Sequence, residues 1–162
     1  MAQILGWLDK QSLQITGKSL TLRLASVEDA NEDYLSWLND PEVNMFLETR
    51  FEIQNLERIR TFIEKVNGGT NEVLFAILLR EKLEHIGNIK IGPINYHHQS
   101  AELSYFIGEK NNWGKGFATE AIALCTKFGF EKLSLKKLQA GCYASNIGSQ
   151  RAGADLLRAG QY

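Results

Sequence analysis

The chain has 162 residues, 44% hydrophobic and 23% charged, a composition typical of a single globular domain. Its 18 Lys and Arg residues nearly balance 19 Asp and Glu residues, which gives a formal net charge of −1 and argues against a general nucleic-acid binder. No apolar run approaches the ~20 residues that span a bilayer, so no membrane insertion is expected.

The N-terminal part predicts one strand followed by one helix. Residues 1–18 are interpreted as an N-terminal extension or as the first arm of a hairpin. Residues 19–25, SLTLRLA, alternate apolar and polar side chains, which is typical of a half-buried strand. Ser26 stands three residues before Asp29 in a capping-box-like pattern, which predicts that a helix begins there. That helix is expected to end before Pro41.

The middle and C-terminal parts predict the remaining elements. Apolar residues recur at helical spacing over residues 56–66, which indicates a second helix. Three strand candidates joined by short turns follow, typical of an antiparallel meander: residues 72–80, 85–91 and 101–107. A third helix is predicted over residues 117–128, a strand over 137–143 and a last helix over 146–158. The order predicts a mixed α/β domain with one parallel strand pair around the third helix.

A glycine-containing turn, Asn112-Trp113-Gly114-Lys115-Gly116, leads directly into the third helix. Glycine lacks a Cβ, so its amide can approach a ligand closely and adopt left-handed dihedral angles. The unpaired amides and the positive dipole end of the following helix favour a pyrophosphate. The spacing matches neither the Rossmann fingerprint nor the P-loop.

The segment WGKGFATEAI, after AELSYFIGEK, resembles the acyl-CoA-binding motif of the GNAT N-acetyltransferases, particularly the branch of ribosomal-protein alanine acetyltransferases. LTLRLASVEDANEDYLSWLNDPEVNMFLE, HIGNIKIGPIN and ASNIGSQRAGADLLRAG resemble further motifs of that branch, in the same order. The resemblance implies an acetyltransferase domain over residues 19–162. Its sheet would be mostly antiparallel and flanked by helices, with acetyl-CoA, the co-substrate, between two splayed parallel strands.

The resemblance also implies roles for individual residues. The pantetheine arm would pair with the backbone at Phe106 and Ile107, Asn146 would bond to it, and Ser149 would lie near the thioester sulfur as a proton donor. The pyrophosphate would be held at Asn112, Trp113, Gly114, Lys115, Gly116, Phe117, Ala118 and Thr119. For Asn146 and Ser149 an ordinary structural role stays open, because Asn is a favoured N-cap and Ser is common in first helical turns.

Acetyl transfer requires an unprotonated amine, whereas a lysine-like ammonium has a pKa of about 10.4. A carboxylate near the amine could remove its proton directly or through water. Glu102 is the candidate base, since it begins the strand that leads to the cofactor motif and shares a face with Ser104 and Phe106. The alternative is a solvated glutamate at a strand end. An amide near Ile107 could polarise the thioester carbonyl.

The acceptor stays open among a protein N-terminal amine, an amino sugar and a small amine. One alternative function is a catalytically silent acyl-CoA-binding module, and another is an NAD- or ATP-binding α/β protein. Family members usually continue beyond a segment like LLRAGQY with two more strands, so the domain is expected to be short at its C-terminus. An unpaired sheet edge would then favour strand pairing between chains, as in a homodimer.

The cysteines and histidines predict no metal site. Cys125 and Cys142 are flanked by apolar residues, which favours buried free thiols in a reducing, cytoplasmic setting. His97 and His98 lie in a predicted hairpin turn without a third ligand. The first seven residues carry no positive charge before a short apolar stretch, so no signal peptide is expected.

Overall fold

The computed structural model describes residues 12–45, 47 and 51–140, in which six strands form one sheet in chain order. The strands are β1 Gln14–Thr16, β2 Leu20–Leu24, β3 Val73–Leu79, β4 His85–Ile91, β5 Ser100–Ile107 and β6 Lys137–Gln139. Neighbours from β1 to β5 are antiparallel, and β5 pairs with β6 in parallel. The predicted mixed α/β fold with one parallel pair is confirmed.

Four helices cover the sheet within the described residues: α1 Glu32–Asn39, α2 Pro41–Asn44, α3 Leu56–Gly68 and α4 Phe117–Glu131. The second and third predicted helices are confirmed as α3 and α4. The predicted strand residues beyond position 140 and the last helix lie outside the described residues, and so do Cys142, Asn146 and Ser149. None of the described helices has the length and apolarity needed to cross a membrane.

The first helix begins later than the sequence predicts, and the prediction of a start at Ser26 is wrong. Val27–Asp29 form only a 3₁₀ turn. The Ser26 amide does donate to Asp29 Oδ2 at 2.8 Å, as a capping box requires, but Asp29 also pairs with Arg23. The residue that caps α1 is Asn31, whose side chain accepts from the Tyr34 amide at 3.1 Å. The helix ends at Asn39, as predicted before Pro41.

The central strands separate two hydrophobic cores because successive side chains point to opposite faces. On β3, Val73, Phe75 and Ile77 face the core that α4 covers, together with Ala101 and Leu103 of β5. Leu74, Ala76 and Leu78 face the second core, against residues of α1 and α3. Both faces of β3 and β4 are therefore buried. These two strands form a rigid centre, and β5 pairs with it through β4.

The parallel pair between β5 and β6 is short. Ser100, Ala101 and Glu102 pair with residues 137–139, whereas β5 continues to Ile107. Within the described residues, β6 therefore does not accompany the second half of β5. This half of β5 leads directly into the glycine-containing turn.

An ion pair between the partly exposed Arg23 and the buried Asp29 fixes the connection from β2 to α1. Arg23 donates to both carboxylate oxygens of Asp29, at 2.7 and 2.8 Å, and the Ser26 amide donates as well. Burial by itself raises the pKa of Asp29, but the hydrogen bonds from Arg23 and Ser26 outweigh it and hold this pKa below its ordinary value. The ion pair therefore stabilises the fold above the carboxyl group's ordinary pKa, and this contribution is lost as the pH falls through the lowered value.

We expect Asp29→Asn to lower the free energy of unfolding by about 1–3 kcal/mol at pH 7, because Arg23 loses its charged partner. Urea denaturation at pH 7 and at about pH 3 would measure it, and the difference between variant and parent should shrink at the lower pH. Glu64→Gln, on an exposed position of α3, is the matched control. Equal loss of stability in both variants would contradict this account of Asp29.

Candidate functional site

The turn between β5 and α4 has a backbone that favours glycine at two positions. Gly114 has a φ of +75° and Gly116 a φ of +83°, both in the left-handed region that L side chains rarely adopt. A Cβ built on either residue meets no heavy atom within 4 Å. Glycine is therefore favoured there for its dihedral angles, and no described residue crowds either position.

A run of amides at this turn has no acceptor within the part of the chain that the structure describes. The Asn112 and Trp113 amides donate to backbone carbonyls at 2.9 and 3.0 Å, and the first helical hydrogen bond runs from the Glu120 amide to the Gly116 carbonyl. The amides in between, residues 114–119, form what we call the amide seat. It combines free donors with the positive dipole end of a 15-residue helix, which favours an anion such as a pyrophosphate.

Glu120 lies in the first turn of α4, where an acidic side chain could occupy the helix's own free amides. It does not do so. Its carboxylate accepts from the Ser19 amide at 2.9 and 3.2 Å and from the Leu20 amide at 2.8 Å. A Cβ on Gly17 would lie 2.7 Å from Glu120 Oε2, so the turn between β1 and β2 closes tightly on this helix end. Glu120 thereby anchors α4, and its carboxylate does not bond to the amide seat.

At each residue of β5 the backbone amide and carbonyl point toward the same neighbouring strand, and this direction alternates from one residue to the next. The Gly108 amide donates to the Ile86 carbonyl at 2.7 Å, and in the same register β5 pairs with β4 throughout. Antiparallel alternation then directs the amide and carbonyl of Phe106 toward β4, and those of Tyr105 and Ile107 away from it, toward the side of β6. For backbone pairing with a ligand, this geometry favours Ile107 over Phe106.

The side chains of β5 confirm the predicted shared face. Glu102 and Ser104 are exposed, and Phe106 on the same face packs edge-on against Tyr34 and Trp37, with ring centroids 6.0 and 6.3 Å apart. Glu102 lies five residues before Ile107, about 17 Å along an extended strand. The candidate base and the amide seat therefore lie at opposite ends of β5.

The first residues of the turn, 108–110, are clamped to α1 and α2, which lie on the face of the sheet opposite α4. A Cβ on Gly108 would lie 2.1 Å from Cδ2 of the buried Trp37, whose Nε1 donates to Glu109 Oε1 at 3.0 Å. Lys110 Nζ lies 2.8 Å from Asp40 Oδ2 and 3.3 Å from a Glu42 oxygen. The sequence did not reveal these partners, which lie some seventy residues away along the chain.

The other candidate residues are placed as follows. Lys115 is exposed beside the amide seat, and Phe117, Ala118 and Thr119 are half-buried in the first turn of α4. Asn112 ends a 3₁₀ turn. Among the described residues, no three His, Cys, Asp or Glu side chains are grouped to hold a metal ion.

The predicted burial of Cys125 is confirmed. It is a free cysteine inside the core under α4, and burial raises the pKa of its thiol to about 12. A thiol with such a pKa is almost entirely protonated at neutral pH, so Cys125 is unsuited to act as a nucleophile.

Comparisons with known proteins give a consistent result. A family model described as the acetyltransferase (GNAT) domain matches residues 19–156. The uncharacterized N-acetyltransferase p20 of Bacillus licheniformis is 34% identical over 136 residues, which cover 80% of this chain and 73% of p20. The crystal structure of a GNAT-family acetyltransferase from Bacillus anthracis superposes with a TM-score of 0.75 at 22% identity, covering 89% of this chain and 82% of that one.

A third similar protein was solved with a ligand. The microcin C7 self-immunity acetyltransferase MccE, in complex with acetyl-CoA and AMP, superposes with a TM-score of 0.71 at 20% identity. The aligned part covers 85% of this chain and 77% of that one. At this identity the likeness concerns the fold.

We expect Gly108→Ala to lower the free energy of unfolding by about 1–3 kcal/mol, because the new methyl group would overlap the Trp37 indole and force it to move. Thermal unfolding and the tryptophan fluorescence spectrum would measure the effect. Gly68→Ala at the end of α3 is the matched control, since a Cβ there meets nothing within 4 Å. A Gly108→Ala variant as stable as this control would contradict the clamp.

Proposed function

The chain belongs to the GNAT acetyltransferase family, and on that basis we propose that it transfers the acetyl group of acetyl-CoA to a primary amine. The observation that carries the proposal is the amide seat at the start of α4, beside the end of β5. A pyrophosphate is a dianion that such a seat is suited to hold. The exposed Lys115 adds a positive charge beside it.

The pantetheine arm would lie along the side of β5 that faces away from β4. The Ile107 amide points to that side, so an extended, carbonyl-containing arm could accept a hydrogen bond from it. Phe106 would contribute its side chain to the wall rather than its backbone. Asn146 would add a further hydrogen bond, as the family resemblance implies.

The reaction needs no covalent intermediate on the protein. The acceptor nitrogen attacks the thioester carbonyl carbon, so that a C–N bond forms and a C–S bond breaks. The amine loses one proton and the sulfur leaves as a thiol. Glu102 would accept the amine proton directly or through water, and Ser149 would protonate the sulfur. The Ile107 amide, about 17 Å along β5 from Glu102, would bind a carbonyl of the pantetheine arm rather than the reacting carbonyl.

The acceptor is proposed only as a class, a primary amine. A protein N-terminus, an amino sugar and a small amine all present such a group. Membership of the branch of ribosomal-protein alanine acetyltransferases stays a prediction, as do a cytoplasmic location and a homodimer.

The direct test is a calorimetric titration with acetyl-CoA, with NAD and ATP as comparison ligands. We expect one-to-one binding of acetyl-CoA at micromolar affinity and much weaker binding of the other two. Release of free thiol in the presence of a panel of amines would then identify the acceptor class. Binding without thiol release from any amine would indicate a silent acyl-CoA-binding module, and preferential binding of NAD or ATP would contradict the proposal.

The role of Glu102 has its own test. We expect Glu102→Gln to lower kcat by about 10²-fold or more while the Kd for acetyl-CoA stays unchanged, because only proton removal is lost. The loss should be largest near neutral pH, where the amine is mostly protonated, and smaller at high pH. Glu84→Gln, in the exposed turn before β4, is the control. Unchanged turnover in Glu102→Gln would assign the proton transfer to another group.

A further inference from the structure

Trp113 makes a hydrogen bond that connects the two halves of the proposed cofactor site. Its indole Nε1 donates to the Ile107 carbonyl at 2.7 Å. The Ile107 carbonyl points away from β4, toward the side where the pantetheine arm would lie. Trp113 is 43% exposed, so it lies at the surface of the turn. The hydrogen bond therefore joins the turn directly to the last residue of β5.

The connection matters because the backbone between β5 and the amide seat is conformationally permissive. The amide seat begins at Gly114, seven residues after Ile107, and two of its residues have left-handed dihedral angles. The clamp at Trp37 and Lys110 holds the first part of the turn to α1 and α2, on the other side of the strand. Within the described residues, the Trp113 side chain is the group that ties the later part of the turn back to β5.

We propose that Trp113 is a positioning residue that sets the distance between the amide seat and the side of β5 along which the pantetheine arm would lie. The inference rests on the proposed function. A ligand that spans both subsites binds tightly only when their spacing matches its length, since binding at one then presents its other end to the second. A ligand that occupies one subsite does not depend on this spacing.

The same bond also decides which polar group of Ile107 is available. With the carbonyl satisfied by the indole, the Ile107 amide, which has no acceptor among the described residues, is the group left to donate to a ligand. A free amide is a donor, and the carbonyl groups of an extended pantetheine arm are acceptors that it can bind. Trp113 thus orients Ile107 without touching the reacting atoms.

The test is Trp113→Phe, which keeps an aromatic ring and removes the N–H donor. Binding of acetyl-CoA would be measured by calorimetry. Binding of two fragments would be measured by ligand-observed NMR, with adenosine 3′,5′-bisphosphate for the phosphate part and S-acetylpantetheine for the arm. We expect the Kd for acetyl-CoA to rise about five- to tenfold, the loss typical of one hydrogen bond, and the Kd of each fragment to change less than twofold.

The fragments also show that the variant is folded, and Phe130→Leu at the far end of α4 is the control for altering an exposed aromatic side chain. Equal weakening of acetyl-CoA and the bisphosphate would mean that Trp113 contacts the ligand directly, and unchanged or tighter binding would mean that the bond does not position the site. Either result overturns the inference. Failure of the parent chain to bind acetyl-CoA would instead overturn the proposed function.

Discussion

A run of backbone amides at the start of α4 has no acceptor among the described residues, and the surrounding structure is organised around these free donors. Unsatisfied donors cost free energy unless water or a ligand pairs with them, so a fold tends to fill them with nearby acidic side chains. Here Glu120, the nearest such acid, is bonded to the amides of Ser19 and Leu20 instead. Gly114 and Gly116 in this run have left-handed dihedral angles, and a Cβ on either would meet no heavy atom of the described residues within 4 Å.

The rest of the molecule holds this seat in place. The central strands are buried on both faces, which makes the sheet a rigid support for β5. Trp37 and Lys110 attach the base of the turn to α1 and α2, and Trp113 attaches its later part to β5. The Trp37 indole donates to Glu109 and the Trp113 indole donates to the Ile107 carbonyl, so the two hydrogen bonds hold different parts of the same turn. An anion site built this way depends on contacts from three separate parts of the sequence, although its ligand-facing groups are consecutive backbone amides.

The sequence predicted what depends on local periodicity and backbone chemistry. The strands β2 to β5 and the helices α3 and α4 follow from alternation and helical spacing, and the glycine turn follows from its own residues. What failed or was missed depends on partners in space. Asp29 forms the predicted capping contact and also pairs with Arg23, but this contact caps only a 3₁₀ turn, and the helix begins at Glu32. The backbone direction at Phe106 follows from the register with β4, which one strand cannot reveal alone. The partners of Glu120 lie about a hundred residues away.

The measurement that tests the central claim most directly is a titration of ¹⁵N-labelled protein with acetyl-CoA, followed through its backbone amide resonances. The account predicts that the largest shift changes fall on residues 114–119 and on Ile107, because these amides gain acceptors when the ligand binds. Amides of α3, on the opposite face of the sheet, should stay almost unchanged. Saturable binding that leaves residues 114–119 unshifted would show that acetyl-CoA is held elsewhere, and the account of this site would be wrong.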